Sequence, residues 1–364
     1  MCHTRVMRTL AALLFCALMF AQQPGTLDPS KVEKQENEKP IVVTSKVVIA
    51  PTTVLDKKGN YVDGLQLQDF QLFDNNKAQN ITADVHDQPL SLVIAVQKSF
   101  NLNDILPKIQ RVGTLLNDLI SGEDGETAVI AFDHRVQVVQ DFTKDTGQIS
   151  ETIKKLTPGS SQHAVNDAVM QALRMLNIPR TKDRRRVILL IAEKRDKGST
   201  VHMREVLTEA EFANVAIYSL DISSVMAGLT GQQMPARPPS NPATAQHVPA
   251  GAAQTPDSLA PFYYSGNYVP VFVDIFKAVK SIFVDDTLDV FTRFTGGKEY
   301  SFISEKSLER AIEGIGQELH SQYLLSYAPN NGEEGGFHEI RVTVNRPNLE
   351  VRTRPGYWVA SQAQ

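Results

Sequence analysis

The chain has 364 residues, of which 42% are hydrophobic, and a formal net charge of −4. This mild acidity argues against nucleic acid or an anionic membrane as the main partner. The length and the hydrophobic content suffice for a sizeable core, or for two domains.

Residues 1–21 have the three parts of an export signal. Arg5 and Arg8 supply the positive end, residues 10–20 the apolar core and Ala21 a cleavage point. The apolar run is too short to favour a membrane span. Both cysteines of the chain fall inside this segment, so the mature protein would contain no disulfide. We therefore expect an exported protein, periplasmic or secreted, with no membrane span after cleavage.

The next part of the chain changes from a polar leader to a β-rich segment. Residues 22–40 are charged and without periodicity, which predicts a disordered leader. Residues 41–88 are rich in Val, Ile and Thr and are divided by the turn signals at 56–60 and 74–77. They predict an antiparallel β unit with a structural role and with strands at 41–50, 52–55, 70–73 and 81–85.

Residues 90–96 form a short apolar run that is typical of a strand buried on both faces. Polar residues follow, and residues 101–120 then repeat apolar side chains at helical spacing. A buried strand, a polar turn and a helix make the first unit of an open α/β sheet. In such sheets ligands bind at the carboxyl ends of the strands, so residues 97–101 occupy the ligand position.

From residue 122 onward, predicted strands and helices alternate. Strands are predicted at 126–132, 136–142, 187–192, 215–220 and 299–302, and helices at 146–156, 164–176, 202–213, 271–284, 287–294 and 307–319. Such alternation predicts a parallel sheet that is covered by helices on both faces. Residues 223–265 interrupt it, because their many prolines and few large apolar residues predict a disordered insertion.

Three stretches of the chain resemble a known family. They are Pro89-Leu90-Ser91 before the apolar strand, the helix-to-strand phrase at 318–327 and the closing Arg354-Pro355-Gly356-Tyr357. They resemble the von Willebrand factor A (VWA) domain, and most closely the secreted VWFA-related family typical of Acidobacteria. The resemblance implies an α/β fold with a VWA-like doubly wound, mostly parallel sheet flanked by helices at 89–328. It also implies a small antiparallel β accessory domain, in which strands of 329–359 join those of 41–88.

The resemblance also points to a metal site, which this chain has altered. A VWA domain holds Mg²⁺ in a metal-ion-dependent adhesion site (MIDAS), using hydroxyls and carboxylates from three loops, and the partner usually donates one carboxylate. Aligned on the strand, the first loop has Gln97, Ser99 and Asn101 where the family has Asp-x-Ser-x-Ser. The second loop has His163 in place of Thr, and the third has Glu193 in place of Asp. Since Mg²⁺ prefers oxygen ligands and one or two carboxylates, we expect a degenerate MIDAS and no cofactor.

We therefore expect an exported, non-enzymatic interaction module of the adhesion type. Its top-face rim would bind an unknown extracytoplasmic protein through direct hydrogen bonds and salt bridges. Besides the five degenerate-site positions, the rim would contain Lys98, Gln162, Lys194 and Asp196. Lys194 stands where the family has Gly, and we expect it either close to any bound ion or paired with Glu193 or Asp196.

Three alternatives stay open. The first is a metal-dependent adhesion module with an altered ion site, which binds Mg²⁺ or, through His163 and Glu193, a softer ion such as zinc. The second is a hydrolase with Ser99 as nucleophile, His163 as base and Glu193 as orienting acid, although no nucleophile-elbow spacing supports it. In the third, the rim is inert and the Pro-rich insertion or the accessory β domain carries the binding.

Overall fold

The structure, a computed structural model, describes residues 47–84, 88–98, 109, 115, 124–223, 269–277 and 284–359. The predicted export signal and leader lie outside these residues, as does the Pro-rich insertion after Ser223. Ser99 and Asn101 also lie outside them. Of the helix predicted at 101–120, the structure describes Ile109 and Leu115, which are both helical.

The described elements alternate as predicted through the middle of the chain. The strands are β1 Val48–Asp56, β2 Phe70–Asp74, β3 Lys77–Gln79, β4 Ile81–Asp84, β5 Leu90–Gln97, β6 Glu126–Phe132, β7 Val136–Thr143, β8 Arg185–Ala192, β9 Ala216–Asp221, β10 Glu299–Ser301, β11 Tyr323–Tyr327, β12 Gly336–Val344, β13 Leu349–Thr353 and β14 Gly356–Val359. The α-helices are α1 Thr146–Lys154, α2 Val165–Leu176, α3 Met203–Phe212, α4 Val269–Lys277, α5 Thr287–Thr295 and α6 Glu305–Ser321. Within the part of the chain described, no helix is long and apolar enough to span a membrane.

A six-stranded sheet forms the centre of the fold, in the order β10-β9-β8-β5-β6-β7. Its strands run parallel except β7, which pairs antiparallel with β6 at the edge, as predicted. One face packs against α1 and α6, and the other packs against α2, α3, α4 and α5. Because both faces are covered, strands β5 and β8 consist of almost continuous apolar residues. The predicted doubly wound α/β class is confirmed.

Two further antiparallel sheets form the accessory part, in the orders β13-β1-β11-β4 and β14-β12-β2-β3. They share one hydrophobic core, to which strand β2 of one sheet contributes Leu72 and strand β11 of the other contributes Tyr327. Strand β1 lies between β11 and β13, so strands from both ends of the chain pair, as the resemblance implied. Burying apolar side chains between the two sheets stabilises this arrangement.

Two details of the predicted accessory part differ from the structure. The strands predicted at 41–50 and 52–55 form one described strand from Val48 to Asp56. Pro51 does not break it, because the fixed φ of proline is compatible with extended backbone. The predicted boundary at residue 328 placed β11 in the α/β part, whereas β11 pairs with β1 and β4. Apolar periodicity identifies a strand but not the sheet that it joins.

A buried carboxylate connects the two parts of the fold. Glu318, near the end of α6, is 1% exposed, and its carboxylate accepts a hydrogen bond from the Tyr218 hydroxyl of β9 at 3.2 Å. The guanidinium of Arg352, on β13 of the accessory part, donates to the same carboxylate. Burial and the Glu318 charge raise the pKa of Tyr218, which keeps the phenol protonated as a donor. Since a buried charge needs a paired partner, this contact fixes β13 against the α/β part.

Candidate functional site

The candidate site lies at the carboxyl ends of β5, β6 and β8. These strands are neighbours with parallel register, so the loops that follow them meet at one edge of the sheet. We call the described residues 98, 133–135, 158–164 and 193–200 the rim. It contains His163 and Glu193 of the predicted binding positions, and Gln97 ends β5 directly beneath it.

Backbone hydrogen bonds join the rim loops to one another. The amide of Ala164 donates to the carbonyl of Asp133 at 2.7 Å. His163 and Lys197 exchange two backbone bonds, at 3.0 and 2.9 Å, which form an isolated antiparallel bridge. The loops after β6 and β8 are therefore both attached to the segment before α2, and the rim is a connected surface.

The side chain of Gln97 is hydrogen-bonded to Glu193. Gln97 is fully buried, and its Oε1 accepts a hydrogen bond from the backbone N–H of Glu193 at 2.8 Å. Its Nε2 donates to Glu193 Oε1 at 3.1 Å. Where the family resemblance implies a metal-binding carboxylate, this chain has an amide that holds the neighbouring loop.

His163 is buried beside the same carboxylate. It is 1% exposed, and its Nε2 lies 3.8 Å from Glu193 Oε2, beyond hydrogen-bonding distance. Neither ring nitrogen forms a hydrogen bond with a described residue. Burial lowers the pKa of His163 and the Glu193 charge opposes this in part, so the fold favours the neutral imidazole. The bridge to Lys197 holds His163 inward, and α2 begins two residues later at Val165, so this predicted binding position is buried.

Asp196 is an internal cap for α2. Its Oδ1 accepts hydrogen bonds from the backbone N–H groups of Val165 at 2.7 Å and Asn166 at 3.2 Å. In the opposite direction, Asp167 in the first turn of α2 accepts from the N–H of Val201 at 2.8 Å. A carboxylate is stabilised at a helix N-terminus by the free N–H groups there. The two aspartates thus clamp the loop after β8 to the start of α2.

Asp133 is a rim residue that sequence reasoning missed. It follows β6 directly, is 5% exposed, and accepts hydrogen bonds from the N–H groups of Ser160 at 3.0 Å and Arg135 at 2.8 Å. A side chain at Gly159 would overlap Asp133 Oδ2, so this close approach requires glycine. The sequence did contain one indication of this role. Asp133 directly follows the predicted strand β6, just as Gln97 ends the neighbouring strand β5.

Lys194 pairs with carboxylates that the sequence did not connect to it. Its Nζ lies 2.6 Å from Asp286 Oδ2 and 2.8 Å from Glu299 Oε1. The predicted pairing with Glu193 or Asp196 is not formed among these contacts. Burial alone would lower the pKa of Lys194, but the two carboxylates outweigh it and raise the pKa above its usual value. Burial and the Asp286 charge raise the pKa of Glu299 above its usual value, and the ammonium of Lys194 opposes part of this rise.

The donor set does not fit the Mg²⁺ site that the resemblance implies. Gln97 and Glu193 are bonded to each other, and His163 contributes nitrogen rather than oxygen. Among the described residues, no group of three or more His, Cys, Asp or Glu side chains is arranged to hold a metal ion. Of the three family positions that the structure describes, Glu193 alone supplies a carboxylate.

The residues proposed for a hydrolase are brought together only in part. His163 and Glu193 are neighbours, but their separation of 3.8 Å is longer than the hydrogen bond that orients a catalytic base. Ser99 lies outside the described residues. The described geometry therefore adds no support to nucleophilic catalysis.

Comparisons with known proteins place a family match across this site. Residues 95–195 match the family model described as the von Willebrand factor type A domain, a region that runs from β5 to the loop after β8. A comparison with curated protein sequences gives no match.

The similar solved structures are distant in sequence. The vWF domain of the type V pili tip protein Mfa5 from Porphyromonas gingivalis is 20% identical, with 30% of this chain and 39% of that chain covered and a TM-score of 0.27. An aerotolerance-related membrane protein from Bacteroides fragilis is 13% identical, with 63% and 99% covered and a TM-score of 0.38. Proximal thread matrix protein 1 from the mussel byssus, with a zinc-occupied MIDAS motif, is 13% identical, with 70% and 50% covered and a TM-score of 0.40. The chain thus spans well under half of the pilus-tip domain that it matches.

The pairing of Lys194 predicts unequal effects of removing two adjacent cations. Lys194→Ala leaves Asp286 and Glu299 without their counter-charge in largely buried surroundings. We expect the free energy of unfolding to fall by about 2 kcal/mol, less than for a fully buried pair, because the Lys194 side chain is 29% exposed. Urea unfolding at neutral pH measures the change.

The matched control is Arg195→Ala, which removes an exposed pair with Asp285. It should cost about 1 kcal/mol or less. Equal losses for the two variants would contradict the internal role of Lys194.

The burial of His163 predicts a pH dependence of stability. Because its folded pKa lies below the unfolded value of about 6.5, the unfolded chain binds the proton more readily. The contribution of His163 to the free energy of unfolding is therefore complete above about pH 6.5. It is lost as the pH falls from there towards the pKa of His163 in the folded protein. Urea unfolding at about pH 7.5 and pH 5 should therefore show a larger loss for the natural chain than for His163→Gln.

The control for that measurement is His134→Gln, which changes an exposed histidine of the neighbouring loop. Because the contact of this exposed side chain with Asp133 at 3.2 Å is worth little, the variant should keep most of the pH dependence of the natural chain. If His163→Gln keeps it too, the imidazole is not held neutral by burial.

Proposed function

We propose that the chain is an exported, non-enzymatic interaction module whose rim binds another extracytoplasmic protein directly, without a bridging metal ion. The observation that carries the proposal is a pair of hydrogen bonds between Gln97 and Glu193. The Glu193 N–H donates to Gln97 Oε1 at 2.8 Å, and Gln97 Nε2 donates to Glu193 Oε1 at 3.1 Å. In the family that the chain resembles, groups at the corresponding positions hold an ion that joins the domain to a carboxylate of its partner, whereas here Gln97 and Glu193 are bonded to each other. The partner would instead meet protein side chains.

The rigidity of the rim supports direct binding. Asp133 and Asp196 each accept two backbone N–H bonds, and the His163–Lys197 bridge joins two loops. A surface that is ordered before binding loses less conformational entropy when the partner arrives. Gln97 and His163 are buried, so they shape this surface from beneath, while exposed residues such as Gln162 would make the contacts.

A second candidate is an adhesion module with an altered ion site. The observation that favours it is the pair of ring nitrogens of His163, which form no hydrogen bond with described residues and lie beside Glu193. Imidazole and carboxylate suit zinc better than magnesium. Zinc usually takes four ligands, however, and the described residues offer two at this position.

Thermal unfolding of the chain that begins after Ala21 separates the two candidates. The protein would be measured with EDTA and then with added Mg²⁺, Mn²⁺ or Zn²⁺. An ion at a hundred times its dissociation constant would add about 2.7 kcal/mol of stability, which is an easily visible shift. We expect no shift with any of the three ions.

Variants assign any shift that does occur. A stabilisation that disappears in His163→Ala or Glu193→Ala, but persists in the control His134→Ala, would overturn the metal-free rim and support the altered ion site. A shift that all three variants retain would place the ion elsewhere, and the metal-free rim would stand.

A further inference from the structure

Positive and negative side chains of the rim differ in their exposure. The carboxylates face inward: Asp133 and Asp196 accept backbone N–H groups, and Glu193 is bonded to Gln97. Asp286 and Glu299, next to the rim, are held by Lys194. These negative charges are therefore engaged within the protein.

Three of the five lysines and arginines of the rim are exposed, whereas Lys98 and Lys194 are paired with carboxylates of the protein. Arg135 and Lys197 are exposed, and they take no part in the salt bridges that the described rim residues form. The Arg195 side chain is 53% exposed, and its pair with Asp285 at 2.8 Å lies at the surface. An exposed pair of this kind is worth little, so the Asp285 contact adds little to the stability of the rim. The solvent-facing charge of the rim is thus positive on a chain whose net charge is −4.

Arg135 and Lys197 stand on connected backbone. The turn that carries Arg135 is closed by Asp133, whose carbonyl is bonded to Ala164 at 2.7 Å. The adjacent residue, His163, is bridged to Lys197. The two cations are therefore held by rigid loops rather than by independent ones. Their backbone positions are ordered before any partner binds, which lowers the entropy cost of recognition.

We infer that the rim recognises a carboxylate-rich protein segment through Arg135, Lys197 and Arg195. The inference rests on the proposed function and names the chemistry of its partner. The guanidinium groups would bind carboxylates through two parallel N–H bonds, while the lysine supplies a point charge. Side-chain cations would then meet the acidic partner where a VWA domain uses its metal ion.

A labelled poly-L-glutamate peptide of about 12 residues is a suitable probe, because it carries carboxylates and little other chemistry. Its binding to the chain that begins after Ala21 would be followed by fluorescence anisotropy in EDTA. We expect binding without metal that weakens as salt is raised from about 50 to about 150 mM, since the contacts are exposed charges.

Charge reversal of the rim provides the decisive comparison. Arg135→Glu/Lys197→Glu should weaken glutamate binding about tenfold or more, because two attractive contacts become repulsive. The matched control is Lys57→Glu/Lys58→Glu, which makes the same change of net charge at two exposed lysines of the β1–β2 connection. The control should stay within about twofold of the natural chain. The milder Arg135→Ala/Lys197→Ala should weaken binding by an intermediate factor, and it tests the rim even if the double reversal fails to fold.

Several outcomes would overturn the inference. These are no glutamate binding, equal weakening in the rim and control variants, or tighter binding of a DNA oligonucleotide of equal charge, which would indicate a nucleic-acid surface. Failure of the proposed function gives a different result. In that case an ion would stabilise the protein, and the stabilisation would depend on His163 or Glu193. If the chain binds no poly-L-glutamate and no ion stabilises it, the preference for an acidic partner is refuted, while the metal-free rim of the proposed function stands.

Discussion

The structure of the site depends on how two buried parallel strands end. Strands β5 and β8 are covered on both faces, and the residues at their carboxyl ends, Gln97 and Glu193, face each other where solvent is scarce. Two carboxylates at these positions would repel each other and would need a cation between them. The amide of Gln97 can both accept and donate, so it satisfies the backbone N–H and the carboxylate of Glu193 together. An amide at position 97 thus avoids the repulsion that two carboxylates would have here.

Lys194 has a comparable effect on the neighbouring part of the same edge. Asp286 at the start of α5 and Glu299 of β10 are mostly buried, and their mutual repulsion would favour a bound cation if nothing neutralised them. The ammonium of Lys194 supplies that charge from within the chain. Internal groups therefore hold the carboxylates of the rim, and Arg135, Arg195 and Lys197 are exposed cations among the described rim residues. The proposed binding mode follows from this distribution of charge.

The sequence predicted those features that depend on local pattern. Continuous apolar runs at 90–96 and 187–192 identified the central strands, because only strands buried on both faces tolerate them. Contacts between distant segments were not predictable in this way. The burial of His163 depends on a backbone bridge to Lys197, and the partners of Lys194 lie at residues 286 and 299. The family resemblance at 318–327 indicated a strand, but nothing in it showed that β11 pairs with β1 rather than with the parallel sheet.

The central claim is that hydrogen bonds between protein groups take the place of an ion at this edge of the sheet. The most direct test is a crystal structure of the chain that begins after Ala21, grown with Zn²⁺ and separately with Mn²⁺, with diffraction recorded at each absorption edge. The account predicts that Gln97 stays bonded to Glu193 and that no anomalous peak lies within about 2.0–2.3 Å of Glu193 or His163. A peak bonded to both residues, with the Gln97 amide displaced, would contradict it.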